Sequence, residues 1–387
     1  MKKLILFFLQ FPILFFGQQK VQILDSETSK PIPNARIISN NQVYYPNDEG
    51  FILLAENTGD LSISAFGYIN QSIKYAPIIK LQPKYQDIDE VKITSIDVSK
   101  ILKLVSKNYN NVYYDKPQLY DITISQRSFE NNHMKLLMIA DGKFWSRDGQ
   151  YNAKEAFNNK YNNFLQVEID HLRYLKSEKT ENPVKVKKQD TSQDYTGDMF
   201  FSYELFRTFR LATGKNVKTS GKLLAENGDE QDISFMIKTD RNMVYKGFIL
   251  YNKRDKAITH FELDFNQSSS EPYKLKDENG VDYQKQLGDG LIIFDFYKSG
   301  EKYVPSKISV QGHGFKTMIG DKTYEYRSAR EIIFKNFRKT DKIGLQNPVE
   351  INNAFWTTMK VSQDKGDILL TKEEQNFINE KSNGNED

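Results

Sequence analysis

Cysteine is missing from all 387 residues. Disulfides, a lipid-bearing cysteine and a thiol nucleophile are therefore excluded, and the core alone must supply stability. At this length folding removes roughly three-quarters of the unfolded surface from water, so a core without cross-links suffices. Histidine is scarce as well: His133, His171, His260 and His313 are the whole set. None has Glu three residues later, and no His-x-x-x-His or His-Glu-x-x-His occurs, so the usual ligand spacings of zinc hydrolases are missing. There is no Gly-x-Ser-x-Gly elbow and no phosphate loop ending in Gly-Lys-Ser/Thr. No catalytic, cofactor-binding or metal residue is assigned, and no cofactor is expected.

Charge of one sign is lacking too. The net +3 includes Lys2 and Lys3, while residues 1–17 contain no acid, which leaves +1 beyond them. Such a balance gives no strong pull on nucleic acid or on anionic lipid. The one long apolar run is residues 4–16, 13 residues interrupted by Gln10 and Pro12. It is shorter than the roughly 20 residues a membrane span needs and follows two lysines, the pattern of an export signal. Cleavage is predicted after Gly17, although Phe15 departs from the small residue usual at that position. The chain is expected to be exported, periplasmic or outer-membrane-associated, with no transmembrane segment in its mature form. A polar tail without a sorting domain favours periplasmic retention.

What is present is alternation. Val21 and Ile23 alternate with polar neighbours, and Pro31 and Pro33 bracket Ile32 at a sheet edge or the start of a strand. Asn47-Asp48-Glu49-Gly50 is a tight turn with Gly50 suited to positive φ. Leu61, Ile63 and Ala65 alternate with Ser62 and Ser64, Gly67 precedes Tyr68, and 78–81 closes the region before Pro83. Together these residues resemble the carboxypeptidase regulatory-like domain, a small transthyretin-like β-sandwich. The resemblance implies a module that accompanies catalytic or transport domains without doing chemistry itself. Residues 88–94 are similar to the linker strand that follows this module in many exported proteins. Some of those are TonB-dependent receptors, but the 293 residues after Thr94 show neither a plug glycine pattern nor a long barrel.

Asp97 is placed to cap a helix over 98–109, with Ile101, Leu102 and Val105 on one side. Tyr120, Ile122 and Ile124 then alternate with polar residues, and 133–146 reads as a second strand. Residues 176–196 read as a solvated loop, with Lys185, Lys187 and Lys188 exposed. Asp198 is predicted to cap a helix over 199–212. Glu204, Arg207 and Arg210 form its polar face, and Met199, Phe201, Tyr203, Leu205, Phe206 and Phe209 cover most of the rest. Two arginines and one acid are too few for firm lipid attraction, so the helix is expected to lie across a sheet. From 217 to 338 strands recur at close intervals; Asn227-Gly228 is a hairpin turn and the meander is antiparallel. Thr371 and Glu374 have capping-box spacing, and 381–387 is a polar tail.

The predicted fold is mainly β. An N-terminal transthyretin-like β-sandwich (18–83) follows the signal (1–17), and a linker strand and helix (84–115) come next. A larger antiparallel β-sheet domain (116–370) carries a packed helix near 199–212, and a short helix and tail (371–387) end the chain. The layout is similar to exported carboxypeptidase-like regulatory domain-containing proteins of Gram-negative bacteria. That resemblance rests also on 247–251, 253–258 and the Phe355-Trp356 pair. The 247–258 pattern is similar, at fold level, to periplasmic lipoprotein-carrier half-barrels, in which a curved sheet closed by an aromatic helix can leave an apolar pocket.

One constellation merits weighing. His260, Glu262 and Asp264 alternate with Phe261, Leu263 and Phe265, so the polar three share a strand face. They are candidates for a metal or acid–base site. The simpler expectation is that the apolar face packs inward while the polar row meets water and pairs with lysines on the next strand. Trp145 and Trp356 are expected as core anchors. The functional expectation is a non-catalytic envelope protein that binds or scaffolds an envelope protein, glycan or lipid. The alternatives are a periplasmic carrier of a lipid or other apolar ligand, and a carboxylate-dependent glycan or peptide hydrolase.

Overall fold

The computed structural model describes residues 19–55, 59–84, 94–185, 196–240, 243–351, 354–362 and 368–380. The predicted signal and its Gly17 cut lie outside the described residues, as do the linker strand up to 93, Lys187, Lys188 and the tail over 381–387.

Alternation at the N-terminus builds a two-sheet sandwich. Strands β1 (Gln19–Asp25), β2 (Arg36–Ser39), β3 (Gln42–Tyr44) and β4 (Phe51–Leu54) are followed by β5 (Leu61–Ser64), β6 (Gln71–Ile73) and β7 (Ile78–Leu81). A three-stranded sheet β4-β1-β7 faces a four-stranded sheet β3-β2-β5-β6. Val21, Ile23, Ile37, Leu54, Leu61, Ile63 and Leu81 fill the space between them. Gly50 adopts φ 78°, and a Cβ there would lie 2.7 Å from the Ile23 carbonyl oxygen, so the turn needs glycine for both reasons.

Helix α1 (Val98–Lys107) begins as predicted, with the Asp97 carboxylate accepting from the Lys100 amide at 3.0 Å. It buries Val98, Leu102 and Val105, and α2 (Tyr109–Val112) follows directly. The chain continues through β8 (Gln118–Glu130), β9 (His133–Ser146), α3 (Ala153–Phe157), β10 (Leu165–Ser177) and α4 (Phe201–Ala212). Next come β11 (Lys218–Asn227), β12 (Glu230–Lys238), β13 (Val244–Asn252), β14 (Ala257–Asn266), β15 (Tyr273–Lys276) and β16 (Asp282–Gln286). The last elements are β17 (Asp289–Ser299), β18 (Lys302–Ile319), β19 (Lys322–Lys339) and α5 (Lys372–Asn379).

These strands form one 12-stranded sheet with the path β10-β9-β8-β19-β18-β17-β14-β13-β12-β11, and β15–β16 is a side hairpin docked on the far end of β18. Every pairing in it is antiparallel. Pairing of β8 with β19 joins the early strands to the late meander. One apolar face holds Tyr120, Ile122, Phe144, Phe261, Leu263, Phe294 and Phe334 in a single core with α1 and α4. Phe201 on α4 meets Phe261, Phe294 and Phe296 at ring distances of 5.5, 5.4 and 5.0 Å. Phe200 beside it meets Phe164 at 5.7 Å, next to the opposite end of the strand order, so the sheet curves around the helix. The other face carries the sandwich and α5, whose Phe377 packs with Phe129, Leu137 and Ile139.

Both outer edges of the sheet are covered by the chain itself. The Leu223 amide on β11 donates to Thr94 and Ile96 donates to Gly221, each at 3.1 Å. Along β10, Val349 donates to Val167 and Ser362 to Leu172, each at 2.7 Å.

Several local expectations are corrected. Asp198 does not cap α4; it sits in a 3₁₀ turn over Gly197–Met199, and Phe200 holds the cap position without a side-chain bond. Glu204 does not face water: it is 2% exposed, accepting from Thr208 Oγ1 and paired with Arg207 at 2.7 Å. Those partners make its burial tolerable, while Phe206 takes an exposed place instead. Strand β10 extends into the predicted loop, and the loop's first part is pinned. The buried Glu130 carboxylate accepts from the Glu181 and Asn182 amides, and Lys185 accepts from the Glu278 amide.

Candidate functional site

The predicted polar row lies on β14, on the face away from the helices. Its members meet different surroundings. Asp264 is exposed, opposite Lys246 in the β13 register, and Glu262 is partly exposed. His260 departs from the expectation, for it is only 6% exposed, covered by the sandwich. The Phe66 ring stacks on its imidazole with centroids 5.0 Å apart and planes 16° from parallel. Its Nδ1 bonds to Asp295 Oδ1, opposite on β17, at 2.7 Å.

Asp295 is the centre of a buried polar network that joins the two parts of the molecule. Tyr45 Oη donates to Asp295 Oδ2 at 3.2 Å and shares a 2.9 Å bond with Ser306. The Arg36 guanidinium donates to the Phe296 carbonyl. Lys307 Nζ donates to Asn34 at 3.0 Å and pairs with Glu331 at 2.9 Å. Burial pushes the His260 pKa down, but the Asp295 and Glu262 carboxylates more than offset this and raise it to about 9. Burial likewise works against the Asp295 carboxylate, yet His260, Arg36 and Lys307 hold its pKa below the usual range. Burial raises the Tyr45 phenol well above its ordinary value. With Asp295 engaged and His260 stacked, this cluster is a docking joint. Asp264 is not brought to it.

A second feature lies on the concave face, beside the start of α4. It is a pocket of about 410 Å³, within the range of roughly 300–1,000 Å³ common for ligand sites. Met199, Phe265, Ile308, Val310 and Ile332 give it apolar walls, and Gln126, Asp198, Lys285, Tyr326 and Arg330 supply polar groups. Strand alternation explains this mixture. Val310 and Arg330 are register partners on β18 and β19, and Gln126 faces Arg330 from β8. Arg330 Nη2 donates to Gln126 Oε1 at 2.9 Å, which fixes both side chains at the wall. Nothing in the local sequence marks this pocket, because its residues come from β8, β14, β16, β18, β19 and the turn before α4.

Among the described residues, no group of three or more His, Asp or Glu side chains has the arrangement to hold a metal ion. No described helix is long and apolar enough to cross a membrane. Trp145 is buried and donates from Nε1 to the Lys342 carbonyl at 3.0 Å, while Trp356 is partly buried against Phe355 and the main core.

No family model matches the chain, and no curated protein matches it. Among solved structures, one similar chain is a domain from Vibrio parahaemolyticus provisionally named as an outer membrane lipoprotein-sorting protein. The identity is 8%, the TM-score 0.24, and the match covers 62% of this chain and 93% of that one. Another is a provisionally named membrane-associated protein of unknown function from Bacteroides fragilis, at 9% identity and TM-score 0.13, covering 83% of this chain and 99% of that one. Both overlaps are too loose to define a shared fold or to carry a function across.

Proposed function

We propose that this chain is a non-catalytic binding protein of the cell envelope whose concave pocket holds the apolar part of a lipid or similar amphipathic ligand. The observation that carries this reading is the pocket itself: about 410 Å³, apolar on its Phe265, Ile308, Val310 and Ile332 walls and polar at Gln126, Lys285 and Arg330. Water gains little on such walls, whereas an acyl or ring system gains roughly 25 cal/mol for each Å² it buries there. Lys285 and Arg330 suit a polar or anionic head beside that apolar body. The envelope address rests on the predicted export signal and on the resemblance of residues 18–83 to the carboxypeptidase regulatory-like domain. In this reading the docked sandwich is a structural companion.

Native mass spectrometry of protein purified from the envelope tests the proposal. The expected result is a co-purifying lipid-sized mass in the wild type, lost when Val310→Trp fills the pocket. A clean apo mass for the wild type, or full retention of lipid by Val310→Trp, would sink it.

A further inference from the structure

A second cavity occupies the seam between the sandwich and the large sheet. It is a cleft of about 290 Å³, walled by Arg36 and Phe66 from the sandwich and by His260, Asp295 and Tyr297 from the sheet. It lies on the opposite sheet face from the concave pocket, because His260 alternates with the core residue Phe261. Its occupancy is therefore independent of the function proposed above.

Two nitrogen atoms in these walls are buried without a hydrogen-bond partner among the described residues: Nε2 of His260 and Nε of Arg36. Both side chains are otherwise held in place. His260 is tied to Asp295 through Nδ1 at 2.7 Å, and Arg36 donates from Nη1 to the Phe296 carbonyl. Glu262 Oε2 stands 3.7 Å from Nε2, close enough to pair with its charge but beyond hydrogen-bonding distance. Asp295 bonds Nδ1 of the same ring and Tyr45, and it makes no hydrogen bond to either of these nitrogens. With Asp295 and Glu262 flanking it, the imidazole is kept protonated despite burial, so Nε2 carries a hydrogen to give. A buried donor left without an acceptor is destabilising, a standing incentive for one to arrive.

We propose that the seam cleft binds the carboxylate of a small organic acid or of a peptide C-terminus, with Nε2 of His260 and Nε of Arg36 as its two donors. A carboxylate has two oxygens for two donors, and both bonds would be charge-assisted. Phe66 offers apolar wall for the body of the ligand, and Glu230, also on the wall, disfavours the extra negative charge of a phosphate.

The experiment is a titration of the full chain followed by long-range ¹H–¹⁵N NMR of the histidine rings, with His260→Gln used to assign the His260 signals. Benzoate is the carboxylate probe and benzamide its neutral counterpart. Benzoate is expected to shift the His260 Nε2 resonance while benzamide does not, and Arg36→Lys is expected to weaken benzoate by about tenfold. A tripeptide with a free C-terminus, compared with its amidated form, then separates the two sources. Response to the free peptide alone identifies a peptide end, and response to benzoate alone a small acid. An Nε2 resonance unmoved by benzoate and by the free peptide, or moved equally by benzamide, overturns the proposal. The wild-type comparison needs no variant, so a misfolded Arg36→Lys protein would leave the test decisive.

Discussion

Arg127 on β8 donates from Nε to the Glu374 carboxylate on α5 at 2.5 Å, and only 2% of that glutamate side chain reaches solvent. The same guanidinium lies 3.5 Å from Glu331 on β19, so a sheet strand, its neighbour and the C-terminal helix share one cation. Glu374 also completes the predicted capping box with Thr371, which orients its carboxylate toward the sheet.

Removing the cation alone should therefore be costly. Arg127→Ala leaves Glu374 buried without its counter-ion, and the expected loss is about 3–5 kcal/mol in urea unfolding. The double variant Arg127→Met with Glu374→Gln should recover most of it, because no uncompensated charge remains. Equal losses for the single and double variants would mean that packing, not charge, dominates.

Stability should also depend on pH through His260. Its folded pKa of about 9 lies above its ordinary 6.5, so the folded state binds the proton more tightly. That contribution is complete below about 6.5 and is lost as pH rises through about 9. Urea midpoints measured from pH 6 to pH 10 should fall across this window, and His260→Gln should flatten the fall. A wild-type midpoint that stays level would contradict the protonated docking joint.

Gly247 on β13 makes room for an aromatic ring. A Cβ there would lie 2.3 Å from Phe235 Cζ and 2.3 Å from the Glu262 carbonyl oxygen. Gly247→Ala must push either the ring or the neighbouring strand, at a cost of about 1–3 kcal/mol or more. Thermal unfolding should show a clear drop in Tm; an unchanged Tm would show that the strand yields freely.

Trp145 offers a milder test. Trp145→Phe keeps most of the packed surface but removes the Nε1 donation to Lys342, leaving that carbonyl to find water or stay unmet. The expected loss is about 1 kcal/mol, read from denaturant unfolding. A loss several times larger would assign the residue's role to packing.

Much of the fold is legible in the sequence because the governing interactions are local. Alternation at Tyr120, Ile122 and Ile124 marks β8, and Asn227-Gly228 marks the β11–β12 hairpin, with Gly228 at φ 59°. Asp97 and Thr371 act as caps where their spacing indicates. Strand β10 escapes because register shifts at Ile169/His171 and at Leu172/Tyr174 break its period of two. Glu204 misleads because helical spacing counts it as polar surface, while its partners Arg207 and Thr208 make burial acceptable. The row at His260, Glu262 and Asp264 is visible as a shared strand face. Its meaning comes from Asp295 and Tyr45, the latter 250 positions from the aspartate it binds. No local pattern records such a meeting. The concave pocket is hidden for the same reason.

Joining β8 to β19 has a consequence for how the molecule is made. Asp121 and Arg338 touch across that boundary although 217 positions separate them along the chain. A nascent polypeptide that stops short of β19 would hold two incomplete ribbons, with bare backbone groups on β8 and β18 where β19 belongs and on β10 where residues 349 and 362 belong. Such rims recruit foreign strands. Assembly must therefore wait for nearly the whole polypeptide, and fragments ending before β19 should clump rather than mature.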